Sequence, residues 1–147
     1  MEEIIIRENI RIERQKAKWQ EAIKIAGNLL LKNGSITESY INEMIDTVLE
    51  FGPYIVIAPG MAIAHAAPSA SVLRDDISLV VFKDPVYFDS QNDPVKLLFA
   101  FSASKKEQHL EQLVELSTLL SEEETVQALE ESNTEEEVYK LVNSLVM

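Results

Sequence analysis

Apolar residues in the first third of the chain return at helical spacing, whereas further on they cluster in short continuous runs. Trp19, Ala22, Ile23, Ala26, Leu29 and Leu30 mark one helix face, and Asn33-Gly34 is a left-handed cap signal that should end it. Tyr40, Ile41, Met44, Ile45, Val48 and Leu49 mark a second face, with Ser35 and Glu38 as a capping-box match before it and Gly52-Pro53 after it. Ahead of both, Ile10-Arg11-Ile12-Glu13 alternates, which predicts a short strand around Asn9 to Glu13. The runs read as buried strands: Tyr54 to Ile57, broken by Pro59-Gly60; Ile77 to Phe82; and Val95 to Phe101. Lys83-Asp84-Pro85 is expected to turn the second run over into a short edge strand, Val86-Tyr87-Phe88.

Three further Ser/Thr-x-x-Glu matches predict helix starts near the C-terminal end of the sequence. Ser104 with Glu107 opens a helix at Lys105 whose buried face holds Leu110, Leu113, Val114 and Leu116 or Ser117. Ser121 with Glu124 opens one through Val126 and Leu129, and Thr134 with Glu137 opens the last, with Val138, Leu141, Val142 and Leu145 inward. Buried strands interleaved with amphipathic helices predict an α/β class with a sheet covered on both faces. No repeat or linker interrupts residues 1–147, so they read as one domain.

Composition narrows the chemistry. The formal net charge is -12, which repels nucleic acid and favours basic protein partners. There is no cysteine, so disulfides, thiol catalysis and thiolate metal sites are excluded, and a cytoplasmic location is expected. No apolar run approaches the roughly 20 residues of a membrane span. Neither G-x-G-x-x-G nor G-x-x-x-x-G-K-[ST] occurs, so a nucleotide fingerprint is absent, and the two isolated histidines make a poor zinc set unless carboxylates complete it.

What remains is the segment GPYIVIAPGMAIAHAAP, residues 52–68, with His65 among small apolar neighbours. Ala62, Ala64, Ala66 and Ala67 leave room for a second protein to approach the ring. A histidine with its ordinary pKa near 6.5 is largely neutral at pH 7 and can attack an electrophile. The alternative is a histidine whose ring nitrogens are satisfied by backbone groups. His109 falls in the second turn of the helix expected after Ser104, beside Lys105 and Lys106. Two cations set against the helix dipole either attend an anion or are simply solvated. For Arg74 and Lys83 the same choice, phosphate contact or solvation, stands open. Together the two histidines suit transfer of a phosphoryl group, one imidazole attacking phosphorus and the other stabilising the anion.

APGMAIAHA around His65, SLVVF with KDPVYF, DPVKLLFAFSA, and KKEQHLEQL around His109 resemble the IIA component of the bacterial sugar phosphotransferase system, mannitol/fructose type, ascorbate branch. The resemblance runs from about Trp19 onward. It implies a mixed sheet of about five strands flanked by helices on both faces. It also implies that His65 accepts phosphate from the phosphocarrier protein HPr and passes it to a cysteine of a IIB component, serving a membrane IIC permease indirectly. His109 matches the second active-site histidine, and no metal or nucleotide is required. Many relatives read H-A-R-P-x-x-G-V after the phosphorylated histidine; here HAAPSASV puts Ala67 for the arginine and Ser71 for the glycine. Asp46 to Leu49 also lacks the arginine of mannitol proteins, which disfavours mannitol; the overall likeness to the ascorbate branch implies L-ascorbate as the sugar. A regulatory IIA-like protein, whose phosphorylation state controls a partner, is the second reading. A binding domain with two structural histidines is the third.

Overall fold

A computed structural model describes residues 3–105, 111, 114, 116–118 and 120–143. Strand β1 (Ile10–Glu13) is followed by helices α1 (Trp19–Lys32) and α2 (Glu38–Phe51), strands β2 (Val56–Ala58), β3 (Met61–Ala64), β4 (Asp76–Val86) and β5 (Val95–Ser102), and helices α3 (Glu123–Glu131) and α4 (Glu135–Asn143). Residues 111, 114, 116–118 and 120 are also helical. The strands form one mixed sheet in the order β1-β4-β5-β3-β2. β1 runs parallel to β4 and β3 parallel to β5, while β4/β5 and β2/β3 are antiparallel.

Both faces are covered, because the central strands carry continuous apolar runs, Leu79 to Phe82, Leu97 to Phe101 and Met61 to Ala64, and alternate side chains must be buried on opposite sides. Val80, Phe82, Leu98, Ala100, Ala62 and Ala64 pack under α1 and α2. Their sequence neighbours Leu79, Val81, Leu97, Phe99, Phe101 and Ile63 pack on the other side with Leu116, Leu120, Leu129, Val138 and Val142.

The first helix ends as its sequence signals, with Asn33 as cap and Gly34 at φ 75°. Thr134 also behaves as expected: the Glu137 N–H donates to its Oγ1 at 3.2 Å. The Ser35 and Ser121 matches do not cap. Ser35 is buried and donates to Asp76 Oδ2 at 2.5 Å, so α2 starts after Thr37. Ser121 donates to the Thr118 carbonyl at 2.8 Å, and α3 begins after Glu122. Ser104 is bound to Asp75 Oδ1 through its N–H and hydroxyl, at 2.7 and 3.2 Å, while its expected partner Glu107 lies outside the described residues.

Lys83-Asp84-Pro85 is not a turn. β4 continues through it to Val86, and a register shift against β5 between Val81 and Val86 absorbs the proline that a regular ladder would reject. The strand expected at Tyr54 to Ile57 is shorter and lies at the sheet edge, with Tyr54 and Ile57 51% and 48% exposed. Leu49 and Val114, expected inward, are exposed. For Val114 the reason is angular: Leu116 and Leu120 define the buried line, and a residue two positions before Leu116 sits nearly opposite. Leu110, Leu113 and Leu145 lie outside the described residues.

Asp76 ties the beginning of β4 to its surroundings. Its Oδ1 accepts from Asn9 Nδ2 at 2.8 Å and the Ile77 N–H at 3.0 Å. Its Oδ2 accepts from Asn33 Nδ2 at 3.0 Å as well as from Ser35.

Candidate active site

The β2–β3 turn sets the course of the His65 segment. Gly60 takes φ 82°, where a side chain would be strained, and its carbonyl accepts from the Lys96 and Leu97 N–H groups, both at 3.0 Å. β3 then runs buried beside β5 until Ala64 pairs with Ala100, and His65 is the first residue past the ladder. Alternation turns its side chain to the same face as Ile63 and Phe101.

The imidazole lies over Phe101, ring centroids 5.0 Å apart and planes 12° from parallel. Tyr54 meets it edge-on at 5.8 Å. Nδ1 is 2.9 Å from the Ile63 carbonyl oxygen. A carbonyl can only accept, so Nδ1 carries the proton and Nε2 holds the in-plane lone pair. Burial lowers the His65 pKa below its ordinary value, opposed by the Ile63 hydrogen bond. The ring is therefore predominantly neutral at pH 7. It combines both readings left open above: one nitrogen is satisfied by backbone, and the same bond leaves the other as the basic one.

The segment after His65 is held to α2. Tyr40 Oη accepts the Ala66 N–H at 3.0 Å and lies 3.1 and 3.0 Å from the carbonyl oxygens of Ala66 and Phe101. One turn along, Glu43 receives Ser69 Oγ at 2.8 Å and Ser71 Oγ at 2.5 Å, one on each carboxylate oxygen. The Thr37 N–H donates to the Ser71 carbonyl at 2.9 Å. Ser71, where many relatives have glycine, needs no left-handed backbone: Asp89 is the one positive-φ residue other than glycine among those described.

Sequence reasoning placed Tyr40 only on an apolar face, and gave Glu43, Ser69 and Phe101 no part in the site. The available signal was that a tyrosine on a buried stripe must find a partner for its hydroxyl. Arg74 and Lys83 are engaged elsewhere. The Arg74 guanidinium donates to the Asn33 carbonyl and to Ser35 Oγ, at the C-terminal end of α1, and Lys83 Nζ donates to the Glu130 carbonyl at 3.1 Å. Lys105 is exposed; His109 and Lys106 lie outside the described residues. Among the described residues no group of three metal-ligating side chains converges, and no helix is long and apolar enough to cross a membrane.

Residues 3–145 match the family described as phosphoenolpyruvate-dependent sugar phosphotransferase system, EIIA 2. The ascorbate-specific EIIA component of Escherichia coli K12 is 36% identical over 137 residues, 92% of this chain and 89% of that one. The solution structure of the mannitol-specific cryptic enzyme IIA of E. coli superimposes with a TM-score of 0.87 at 32% identity, covering 95% of both chains. The mannitol IIA in complex with phosphorylated mannitol IIB, also from E. coli, aligns with a TM-score of 0.81 at 25% identity, covering 92% and 94%. A neutral histidine presented at the end of a buried strand, on a fold shared with these proteins, accords with their phosphotransferase chemistry, and the chain belongs to the EIIA 2 family of the phosphoenolpyruvate-dependent sugar phosphotransferase system.

Proposed function

We propose that His65 is the phosphoryl acceptor and that it reacts through Nε2. The observation that carries this reading is the 2.9 Å contact between Nδ1 and the Ile63 carbonyl. The Nε2 lone pair attacks phosphorus on phosphorylated HPr; as the N–P bond forms, the bond from phosphorus to HPr breaks and its electron pair leaves with HPr. The Nδ1 proton stays against Ile63, where the carbonyl dipole stabilises positive charge spread over the ring. A thiolate of a IIB component then attacks phosphorus, and the N–P electron pair returns to Nε2 as neutral His65. The mannitol IIA structure bound to phosphorylated IIB supports a IIB acceptor.

His109 is the second imidazole, donating to the transferring phosphoryl group; the H-L-x-x-L motif that it opens supports this. The sugar is L-ascorbate, supported by the ascorbate-specific relative and by the arginine-free Asp46 to Leu49 segment. The protein works in the cytoplasm, between HPr and the IIB that serves a membrane IIC permease.

The test is a reconstituted relay. Phosphate from phosphorylated HPr should appear on His65 Nε2 by 15N NMR, be lost in mild acid and survive alkali. His65→Ala should accept none. Phosphate mapped to another residue overturns the acceptor assignment, and faster transfer to a mannitol-type than to an ascorbate-type IIB overturns the sugar.

A further inference from the structure

The parallel ladder between β3 and β5 stops at Ala64 and Ala100, yet the two chains remain joined one residue further on, through a side chain from the helix above. Tyr40 is 0% exposed, and its hydroxyl stands where the next rung would be. It takes the Ala66 N–H and offers its single proton to the carbonyls of Ala66 and Phe101. Those atoms flank His65 on both sides: Ala66 is the next residue in sequence, and Phe101 carries the ring on which the imidazole lies.

We propose that Tyr40 is the positioning residue for His65, its hydroxyl setting the separation between the histidine's backbone and the Phe101 platform. The inference rests on His65 being the phosphoryl acceptor. Tyr40 does not touch the reacting atoms; it acts through His65.

Three features make the hydroxyl suited to this. Helix α2 is anchored again one turn later by Glu43 on Ser69 and Ser71, so the phenol approaches from a fixed direction. Burial pushes its pKa up to about 12, so it keeps its proton, and its power to donate, at every pH at which the relay could run. Without it, the Ala66 N–H and the Phe101 carbonyl would have to find each other or water in a closed space, and the strands would shift. A shift of the order of 1 Å in a reacting group costs roughly 10²-fold in rate.

The test compares the wild type with Tyr40→Phe, which keeps the ring, and with Ser78→Ala. The Ser78 variant removes another buried hydroxyl on the same face of the sheet, one that donates to the Ala26 carbonyl at 2.8 Å. Tyr40→Phe should lower the single-turnover transfer rate at saturating phosphorylated HPr about 10- to 100-fold, leave KM for HPr within about twofold, and move the His65 ring 15N shifts. Ser78→Ala should lose comparable stability with transfer and ring shifts unchanged. In the wild type, the Tyr40 hydroxyl proton should exchange slowly and show an NOE to the Ala66 N–H. Tyr40→Phe with wild-type transfer and ring shifts, equal slowing in Ser78→Ala, or a rapidly exchanging wild-type hydroxyl each overturns the proposal. Failure of the wild type to carry phosphate on His65 would instead overturn the acceptor reading beneath it.

Discussion

Replacing Phe101 by leucine separates what the ring does for the fold from what it does for the histidine. Phe101 is fully buried at the C-terminal end of β5, and one face of its ring bears the His65 imidazole. Truncation to alanine in such a site costs about 3–5 kcal/mol. Leucine restores most of the volume, leaving a packing loss of about 1 kcal/mol, to which the missing stacked pair adds about 0.5–1.5 kcal/mol. A total near 2 kcal/mol should lower the melting temperature of a chain this size by about 4–8 °C, leaving it folded at 25 °C. The imidazole meanwhile loses the plane that fixes its tilt, while the Ile63 carbonyl still holds Nδ1. Rotation about the Nδ1 contact should spread the direction of Nε2 and slow phosphoryl transfer by about 10- to 100-fold. Opening the site to water should also raise the His65 pKa toward its ordinary value, because burial is what depresses it. Thermal melts, rapid-quench transfer from phosphorylated HPr, and an NMR titration of the imidazole measure the three effects. A variant that melts as expected but transfers at the wild-type rate would refute the idea that stacking orients the nucleophile.

Transfer to His65 should follow one ionisation with its midpoint below pH 6.5, flat through neutrality, since only the neutral ring is a nucleophile; a midpoint above 6.5 contradicts the burial. The same shift carries a stability term. The folded pKa lies below the unfolded one, so the contribution is present above about 6.5 and is lost as pH falls toward the folded value; chemical denaturation of wild type against His65→Gln across this range should show it as a shrinking difference. Glu43→Ala removes two charge-assisted hydrogen bonds from a partly exposed clamp and should cost about 1–2 kcal/mol, with faster amide exchange from Ala66 to Val72; unchanged exchange would mean that Tyr40 and Thr37 hold the loop without it. Thr134→Ala should cost about 1 kcal/mol in urea denaturation without touching transfer. His109→Ala should still accept phosphate but transfer it about 10²–10³-fold more slowly, with His109→Gln retaining more; a wild-type rate in both directions would return His109 to the helix surface.

The parts of this fold that could be read from sequence are those where one physical signal acts alone. The stripe from Trp19 to Leu30 and the run from Val95 to Phe101 had no competing cue, and both elements fall where periodicity puts them. Pro85 was misread because a local turn signal was weighed without the irregular pairing that tolerates it. Ser35 and Thr134 present the same short motif, but only Thr134 has its hydroxyl available to the helix; that of Ser35 is claimed by Asp76, 41 residues away. His65 stood out through its neighbours, yet its tautomer depends on the direction of the Ile63 carbonyl, which composition does not encode. Tyr40 stayed hidden for a similar reason: its role lies in backbone atoms of Ala66 and Phe101, and backbone is the same in every sequence.

The four donors gathered by Asp76 bear on how the chain assembles. Asn9 comes from the start of β1, Asn33 and Ser35 from the connection between α1 and α2, and Ile77 from β4 itself. An intermediate that docks β1 on β4 while the helical connection is still loose satisfies only Oδ1. Oδ2 then loses water before it gains partners, at a free-energy cost that the finished structure does not carry. The arrangement taxes half-assembled states and so sharpens the cooperativity of folding. Asp76→Ala should therefore broaden the urea transition and let fluorescence from Trp19 on α1 part company with circular dichroism, and coincident transitions in that variant would show that the carboxylate only adds stability.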